Sequence, residues 1–276
     1  MDDELPMPTP TVPVKPLTSF KSLSFDIYET LIQWENSIVE HLKPLISRYE
    51  HASTDQRVQD DMAELFAKHE KNLQAESPSM KYNEILAKAY MRVAVDIGAP
   101  KHDAEIERQA KAFGDSVGDW PAFPDTVDAM NRLSKHYKLI ALSNVDRDSF
   151  ARTNAGPLKG LRFWRVFTAE DIGSYKPDPR NFEYLFKHLD EDDKEEGGPG
   201  ITKDENLHVA QSLFHDHKPA KKLGTSSVWI NRKGAGTGRV DFKEAHDKGE
   251  FGYGWRFHTL GEFADEVERQ WTARDL

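Results

Sequence analysis

A short apolar run near the start of the chain ends in Asp26, and Thr30 stands four positions further on. An aspartate at the carboxyl end of a buried strand faces the crevice in which open α/β sheets bind their ligands. In that crevice a carboxylate can attack as a nucleophile, provided that cations balance its charge. Many strands also end in an aspartate that only caps the next turn, so this segment alone leaves both interpretations open.

A second polar pair, Ser143 and Asn144, follows the apolar run Leu139–Leu142. A hydroxyl and an amide at the end of a strand can donate hydrogen bonds to a bound anion or to a departing one. Ser-Asn is also ordinary turn or helix-capping chemistry, and that is the commoner role of such a pair on its own.

A lysine and a further acid follow later in the chain. Lys176 precedes a Pro-Asp-Pro run, whose two prolines stiffen the loop that would present its ammonium group. A cation there can keep Asp26 ionised and stabilise negative charge on a substrate, although most lysines are simply solvated. Asp216 comes shortly after another apolar run, where it could position Lys176, orient a water molecule or ligate a cation.

The run His215-Asp216-His217 invites comparison with a zinc site. Zinc ligands must converge on one point, whereas alternate residues just after a strand usually point apart. We therefore prefer Asp216 as part of the crevice chemistry. His215 is predicted to border the crevice and His217 to lie at the surface.

Helical periodicity dominates the chain from about residue 38 to residue 118, and no strand pattern interrupts it. After Trp120 short apolar strands alternate with helices, which predicts right-handed crossovers and a largely parallel sheet. The predicted strands are Lys138–Ser143, Arg165–Ala169, Leu207–Ser212, Ser226–Asn231 and Arg256–Thr259, and the predicted helices are 125–136, 147–154, 179–189, 216–223 and 261–272. The fold class is therefore α/β, a doubly wound parallel-sheet core with a helical cap inserted after its first strand.

The predicted domain organisation has three parts. Residues 1–18 form a flexible, proline-rich N-terminal arm, residues 19–37 and 119–276 form the α/β core, and residues 38–118 form the helical cap. Two segments, 191–200 and 233–252, are predicted to be irregular surface excursions. The run from Gly234 to Gly238 lacks the Lys-Ser/Thr of a phosphate-binding loop, so it is predicted to be a flexible loop.

The composition narrows the class of partner. A net charge of −10 disfavours binding to nucleic acid or to anionic membranes, and no apolar stretch approaches the ~18–20 residues that span a bilayer. The chain has no cysteine, which excludes disulfides, thiolate metal sites and cysteine nucleophiles. Because the N-terminus also shows no signal-peptide pattern, we expect a cytoplasmic protein.

The order of these polar groups is more specific than any one of them. Asp-x-x-x-Thr, Ser-Asn, Lys-Pro-Asp-Pro and a strand followed by an acid, in that order, resemble the haloacid dehalogenase (HAD) superfamily of aspartate-nucleophile hydrolases. Within it the chain is most similar to the L-2-haloacid dehalogenase branch, whose cap matches the helical block in position. The resemblance runs from Leu23 to the C-terminus, and Gly224 and Trp229–Arg232 repeat the branch's spacing after the motif acid.

The resemblance implies a reaction in two steps. Asp26 would attack C2 of a 2-haloalkanoic acid and displace halide with inversion, and water would then hydrolyse the aspartyl ester to give the 2-hydroxy acid. Thr30 and Ser143 would hold the nucleophile and the substrate carboxylate, and Asn144 would line the halide side. The implied catalytic residues are Asp26, Thr30, Ser143, Asn144, Lys176 and Asp216, and the implied substrate-binding residues are Tyr28, Ser143, Asn144 and His215.

In this scheme Lys176 balances the negative charge, while Asp216 orients Lys176 or the water molecule. The partner implied is a small anionic organic substrate, and no cofactor is expected. A homodimer is common in the branch, but no repeat or heptad in the sequence indicates one, so the oligomeric state stays open.

Tyr28 separates the dehalogenase interpretation from a phosphatase. Phosphatases of the superfamily usually carry a second aspartate two residues after the nucleophile, where this chain has Tyr28. Because a tyrosine gives up a proton less readily near neutral pH, dehalogenation is favoured. The phosphatase alternative would add Mg²⁺ on Asp26 and Asp216, and a third alternative is a binding protein without activity.

Several positions depart from the dehalogenase pattern. The branch usually offers a cap arginine to receive halide, but the matching segment, residues 62–70, contains none. Phe182 replaces an expected tyrosine, and Glu29 stands where glycine is common. Gln211 and Leu213 replace a small Ser/Asn pair. The nucleophile is intact. The changes leave open which group stabilises the halide and which substrate the protein takes.

Overall fold

The computed structural model describes residues 6–49, 56–189, 200–232 and 239–274. Six strands in this part of the chain form one sheet in the order β3-β2-β1-β4-β5-β6, and every neighbouring pair is parallel. The strands are β1 (Ser22–Phe25), β2 (Lys138–Ser143), β3 (Arg165–Thr168), β4 (Asn206–Ala210), β5 (Ser227–Ile230) and β6 (Trp255–Phe257).

Helices alternate with these strands along the chain. They are α1 (Trp34–Tyr49), α2 (Gln56–Glu76), α3 (Tyr82–Asp96), α4 (Ala104–Ser116), α5 (Thr126–Leu133), α6 (Arg147–Ala155), α7 (Ala169–Ile172), α8 (Arg180–Leu189), α9 (Lys218–Lys222), α10 (Arg239–Asp247) and α11 (Leu260–Arg274). The alternation confirms the predicted α/β class, and the predicted strands are all present with bounds that shift by a few residues at most.

The strand order reverses at β1, since β2 and β3 lie on one side of it and β4, β5 and β6 on the other. This is the doubly wound arrangement that the sequence predicts. In such a sheet ligands bind at the carboxyl ends of the strands, where the order changes. The junction of β1 and β4 pairs Ser22 with Asn206 and Ser24 with His208, so the side chains of each pair share one face of the sheet.

Helices α1 to α4 form an insertion between β1 and β2. The buried side chains of α3 recur at spacings of three and four positions: Ile85, Leu86, Ala89, Tyr90 and Val93. No strand interrupts residues 38–49 or 56–118, which confirms the predicted helical cap. The bounds predicted for the domains stay predictions.

The predicted N-terminal arm contacts the core. Thr11 donates a backbone hydrogen bond of 2.8 Å to the carbonyl of Gly252, and a Cβ atom at residue 252 would lie 2.0 Å from Oγ1 of Thr11. Glycine is therefore required where the two segments approach. Leu17, in a single 3₁₀ turn (Leu17–Ser19), is fully buried and belongs to the hydrophobic core.

One loop prediction is wrong in part, because the 233–252 excursion contains a helix, α10. The predicted loop at Gly234–Gly238 and nearly all of the predicted loop at 191–200 lie outside the described residues. None of the helices in the described part of the chain combines the length and the hydropathy that a membrane-spanning helix needs. The cytoplasmic location and the oligomeric state stay predictions.

Candidate active site

Asp26 is the first residue after β1 and continues its pairing with β4, because its N–H donates a 3.1 Å hydrogen bond to the carbonyl of Val209. The residue is only 7% exposed. Its Oδ1 accepts a hydrogen bond from Nζ of Lys176 at 2.8 Å, and its Oδ2 accepts one from Oγ1 of Thr30 at 3.2 Å. Burial raises the pKa of Asp26, while the ammonium group of Lys176 acts against this rise.

Lys176 is buried, and its ammonium group has three acceptors. Nζ donates to Oδ1 of Asp26 at 2.8 Å, to Oδ1 of Asp216 at 2.6 Å and to the carbonyl of Leu142 at 2.9 Å. Burial alone would lower the pKa of Lys176, but the charges of the two aspartates outweigh it and raise that pKa. The side chain is therefore a cation held between two carboxylates.

Asn144 follows β2 directly and fixes the backbone of Lys176. Its Oδ1 accepts a 2.7 Å hydrogen bond from the N–H of Lys176, and its Nδ2 donates a 3.0 Å hydrogen bond to the carbonyl of the same residue. Both ends of the amide thus hold one peptide segment, and Asn144 also lines the cavity beside Asp26. Its predicted contact with a departing halide stays a prediction.

Asp216 completes the buried charge cluster. Its Oδ1 accepts hydrogen bonds from Lys176 and, at 2.9 Å, from Nε2 of His208, whereas its buried Oδ2 has no partner among the described residues. Burial would raise the pKa of Asp216, but Lys176 and His208 outweigh it and hold that pKa well below its ordinary value. Asp216 is therefore ionised.

His208 is a residue that the sequence interpretation missed. It lies on β4, is fully buried, and contacts both Asp216 and, through Nδ1, the hydroxyl of Ser24 at 2.9 Å. A signal was available, because Ser22 and Ser24 on β1 and Asn206 and His208 on β4 are polar residues at alternate positions of buried strands.

Ser143 ends β2 and is 4% exposed. Its hydroxyl has no hydrogen-bond partner within the described part of the chain, and the residue lines the cavity. A buried hydroxyl without a partner carries a desolvation cost that a bound polar group would remove. Ser143 is thus available to bind a substrate oxygen.

Thr30 joins the Asp26 loop to its surroundings. Its hydroxyl donates to Asp26 and accepts a 2.9 Å hydrogen bond from the N–H of Gln211. Its carbonyl accepts two hydrogen bonds from the buried guanidinium group of Arg232, from Nε at 3.1 Å and from Nη2 at 2.8 Å. Arg232, which matches the branch's spacing but had no predicted role, also pairs with Asp125 at 2.6 Å and anchors the loop.

Tyr28 lines the cavity, but its hydroxyl group bonds to Oγ1 of Thr153 at 2.9 Å. Burial raises the pKa of Tyr28, so its phenol stays protonated.

The next residue, Glu29, has φ of +67°, which explains why glycine is common at this position. The Glu29 carboxylate accepts a 2.8 Å hydrogen bond from the N–H of Glu35 at the start of α1, and burial raises its pKa to about 7.

Of the two histidines beside Asp216, His215 lies where the sequence predicts it and His217 does not. His215 lines the cavity, and burial lowers its pKa to about 4. The prediction that His217 lies at the surface is wrong, because it is 1% exposed and bonds to Ser227 and to the carbonyl of Ala210. The π-type turn Leu213–His217 directs this side chain inward.

A cavity of about 740 Å³ adjoins these residues. Core residues named above line one part of it, and cap helix α2 lines another with Glu64, Ala67, Lys68, Glu70, Lys71 and Gln74. Two cap cations thus line the cavity: Lys68 lies within the segment 62–70 that lacks the expected arginine, and Lys71 directly follows it. Glu70 is buried, accepts a 2.7 Å hydrogen bond from the hydroxyl of Tyr82, and has a pKa raised by burial to about 7.

Comparison with known families identifies this arrangement. Residues 20–197 match the family model of haloacid dehalogenase-like hydrolases, which is more than half of the chain. The chain belongs to the haloacid dehalogenase-like hydrolase family. The resemblance drawn from the order of the polar motifs is therefore confirmed. In this HAD-like hydrolase Asp26 and Asn144 directly follow β1 and β2, whereas Lys176 lies in the loop before α8 and Asp216 in the turn Leu213–His217.

A distant relative of this hydrolase is (S)-2-haloacid dehalogenase 4A from Burkholderia cepacia, 26% identical over 117 residues. That alignment covers 41% of this chain and 45% of the relative, so it spans less than half the length of either protein.

Solved structures share the whole fold. L-2-haloacid dehalogenase from Xanthobacter autotrophicus aligns with a TM-score of 0.68 and 16% identity over 90% of this chain and 98% of its own. The same enzyme with chloropropionic acid covalently bound aligns with a TM-score of 0.66 and 15% identity over 90% and 98%. At these identities the likeness establishes the common fold of core and cap.

Proposed function

We propose that this hydrolase converts a small 2-haloalkanoic acid to the 2-hydroxy acid through an ester on Asp26. The observation that carries the proposal is the ammonium group of Lys176, which holds one oxygen of Asp26 and one of Asp216 at 2.8 and 2.6 Å. Its positive charge favours the ionised form of the buried Asp26 carboxylate, the form that attack on carbon requires. The dehalogenase activities named for the relatives support the same chemistry.

In the first step Oδ2 of Asp26 attacks C2, and the carbon–halogen bond breaks as the carbon–oxygen bond forms. Oδ2 suits this role because its one described hydrogen bond comes from Thr30, at 3.2 Å. The hydroxyl of Ser143 binds the substrate carboxylate, and the N–H of Asn144 that Lys176 does not use faces the departing halide. A cation beside the attacking carboxylate lowers the repulsion between two anions.

In the second step water attacks Cγ of the Asp26 ester and transfers a proton to Oδ2 of Asp216. The tetrahedral intermediate, stabilised by Lys176, collapses with cleavage of the bond between Cγ and the ester oxygen. The departing alkoxide takes the proton from Asp216, which gives the 2-hydroxy acid. Asp26 regains its carboxylate by releasing the other proton of the water molecule to solvent.

The phosphatase alternative finds less support. A phosphatase would need an acid at Tyr28, whose hydroxyl is bonded to Thr153, and Mg²⁺ at Asp26 and Asp216. Lys176 already bridges these two carboxylates and takes one oxygen of each, where Mg²⁺ would have to bind. The donor set therefore does not fit Mg²⁺ well, and no step is assigned to a metal.

The proposal is tested by incubating the protein with racemic 2-chloropropionate and, separately, with p-nitrophenyl phosphate and magnesium. We expect chloride release with conversion of one enantiomer, and an intact-mass adduct equal to the propionate ester. Asp26→Asn should abolish both, whereas Asp128→Asn, at an exposed carboxylate paired with Arg132, should retain them. Magnesium-dependent phenolate without chloride would instead identify a phosphatase, and neither product from a folded protein would favour the binding-protein alternative.

A further inference from the structure

A line of hydrogen bonds runs through the sheet to Asp216. Oγ of Ser22 donates to Oδ1 of Asn206, and Nδ2 of Asn206 donates to Oγ of Ser24, each at 2.9 Å. Ser24 lies 2.9 Å from Nδ1 of His208, whose Nε2 lies 2.9 Å from Oδ1 of Asp216. All five residues are fully buried, so each bond forms without competition from solvent.

The directions of these bonds assign the tautomer of His208. The ionised Asp216 carboxylate can only accept, so Nε2 of His208 donates to it. Nδ1 then accepts from the hydroxyl of Ser24, whose single hydrogen is not used toward Asn206. With Nδ1 as an acceptor, a neutral imidazole carries its proton on Nε2, which faces the Asp216 carboxylate. The line therefore ends in an N–H donor directed at Oδ1 of Asp216.

The ring of His208 is also held in place by packing. Phe182 contacts it edge-on, with the ring centroids 4.8 Å apart and the planes at 74°. The backbone of His208 pairs with Ser24 in the register of β1 and β4, so the serine hydroxyl and the imidazole lie on one face of the sheet. Ring and hydroxyl thus form a rigid support behind the carboxylate.

This support affects the two oxygens of Asp216 unequally. Oδ1 accepts from both His208 and Lys176, while Oδ2 has no partner among the described residues although Asp216 lines the cavity. Two donors on one oxygen fix the rotation of the carboxyl group. Without the donor from His208, the carboxyl group could turn and present either oxygen to Lys176.

We propose that His208 is a positioning residue, whose Nε2–H holds Oδ1 of Asp216 so that Oδ2 receives the proton of the hydrolytic water. This inference rests on the proposed function and concerns its second step. Water adds to Cγ of the Asp26 ester as its proton passes to Oδ2 of Asp216. The bond from Cγ to the ester oxygen then breaks, and the alkoxide recovers the proton. The first step, attack by Asp26, does not use Oδ2 of Asp216.

The test compares His208→Phe, which keeps a ring against Phe182 but removes the donor, with His208→Gln, which places an amide N–H near the position of Nε2. In His208→Phe we expect ester hydrolysis to slow by about 10- to 100-fold, the effect of losing a hydrogen bond to a charged group. Chloride should then appear in a stoichiometric burst, and the Asp26 ester should accumulate in the intact-mass spectrum. His208→Gln should restore turnover and reduce the ester fraction.

His217→Phe provides a matched control. His217 is also buried and bonds to a serine of the neighbouring strand, Ser227, but none of its hydrogen bonds reaches Asp216. We expect no burst and no ester accumulation in this variant. If His208→Phe and His217→Phe slowed both steps alike, or if His208→Gln failed to restore turnover, His208 would have only a structural role and the inference would be wrong. Ser24→Ala, a smaller change, covers the case in which His208→Phe does not fold, and should show the same burst at lower amplitude.

A measurement without substrate separates this inference from the proposed function. In protein with ¹⁵N-labelled histidine, His208 should show a protonated Nε2, a bare Nδ1 and a downfield N–H proton that shifts in Asp216→Asn. Protonation at Nδ1 alone would overturn the inference whatever the substrate is. If the protein gave the expected spectrum but released no halide, the role of His208 in holding Asp216 would stand. Only the proposed dehalogenation would then be rejected.

Discussion

The ammonium nitrogen of Lys176 lies 2.8 Å from Oδ1 of Asp26, although 150 positions separate the two residues in the chain. This contact joins the first strand of the sheet to the loop before α8, and burial makes it sensitive to any loss of charge. Two carboxylates share the one ammonium group, because Asp216 lies 2.6 Å from the same nitrogen.

Lys176→Met should reduce chloride release by at least about 100-fold, since the cation stabilises charge in both steps. It should also lower the free energy of unfolding by about 3–5 kcal/mol, because two buried carboxylates lose their partner. Because Lys176 acts to lower the pKa of Asp26, its removal raises that pKa further. The acid limb of the residual rate should therefore move to higher pH.

Chloride release across pH and urea unfolding measure these effects. Lys159→Met, at an exposed lysine, serves as the control and should match the wild-type protein in both measurements. An acid limb that moved to lower pH in Lys176→Met would contradict the assigned electrostatics.

Asn144→Ala should lower kcat by about 10- to 100-fold with a smaller change in KM, because the amide holds the N–H and carbonyl of Lys176. Asn144→Asp keeps an acceptor for the N–H of Lys176, so its kcat should lie between those of the wild-type protein and Asn144→Ala. Steady-state chloride release gives both constants. A change confined to KM would show that Asn144 acts on the bound substrate and not through Lys176.

Ser143→Ala should raise KM for the haloacid by about 10-fold, as expected for losing one hydrogen bond to a carboxylate. The free energy of unfolding should stay level or rise by about 1 kcal/mol, because the hydroxyl has no partner in the described structure. Ser227→Ala is the matched comparison, since that hydroxyl bonds to His217 and its loss should destabilise by about 1 kcal/mol. Equal destabilisation by the two substitutions would contradict the assignment.

Glu70 should make stability depend on pH. Burial raises its pKa in the folded protein to about 7 from an ordinary 4.5, so the folded state binds more protons than the unfolded state between these values. The free energy of unfolding should therefore fall as pH rises through this window, by on the order of 3 kcal/mol.

Glu70→Gln keeps an acceptor for Tyr82 and removes the titration, so this variant should lack that part of the fall. Urea unfolding across the window measures the difference, and Glu64→Gln, at an exposed glutamate of α2, should follow the wild-type curve. If the free energy of unfolding changed with pH equally in the wild-type protein and in Glu70→Gln, ionisation of Glu70 would not destabilise the fold and the prediction would be wrong.

The local pattern of the chain predicts much of this structure. Strand β2 has the predicted bounds Lys138–Ser143, because an apolar run between polar residues suits a strand buried on both faces. The buried side of α3 follows its spacing of three and four positions. The apolar runs before Asp26 and Asp216 also predicted that these acids meet, since parallel strands bring their carboxyl ends to one edge, and Lys176 reaches both from the loop before α8.

The order and spacing of the residues predict the class of fold, the inserted cap, the family and most of the polar groups at the sheet edge. How those groups divide their hydrogen bonds depends on the tertiary structure. It buried His217 through a π-type turn, gave both ends of the Asn144 amide to Lys176, and brought His208 against Asp216. Residue spacing sets which face a side chain occupies, whereas a hydrogen bond between distant segments depends on strand register and side-chain rotation, which arise only when the whole sheet packs.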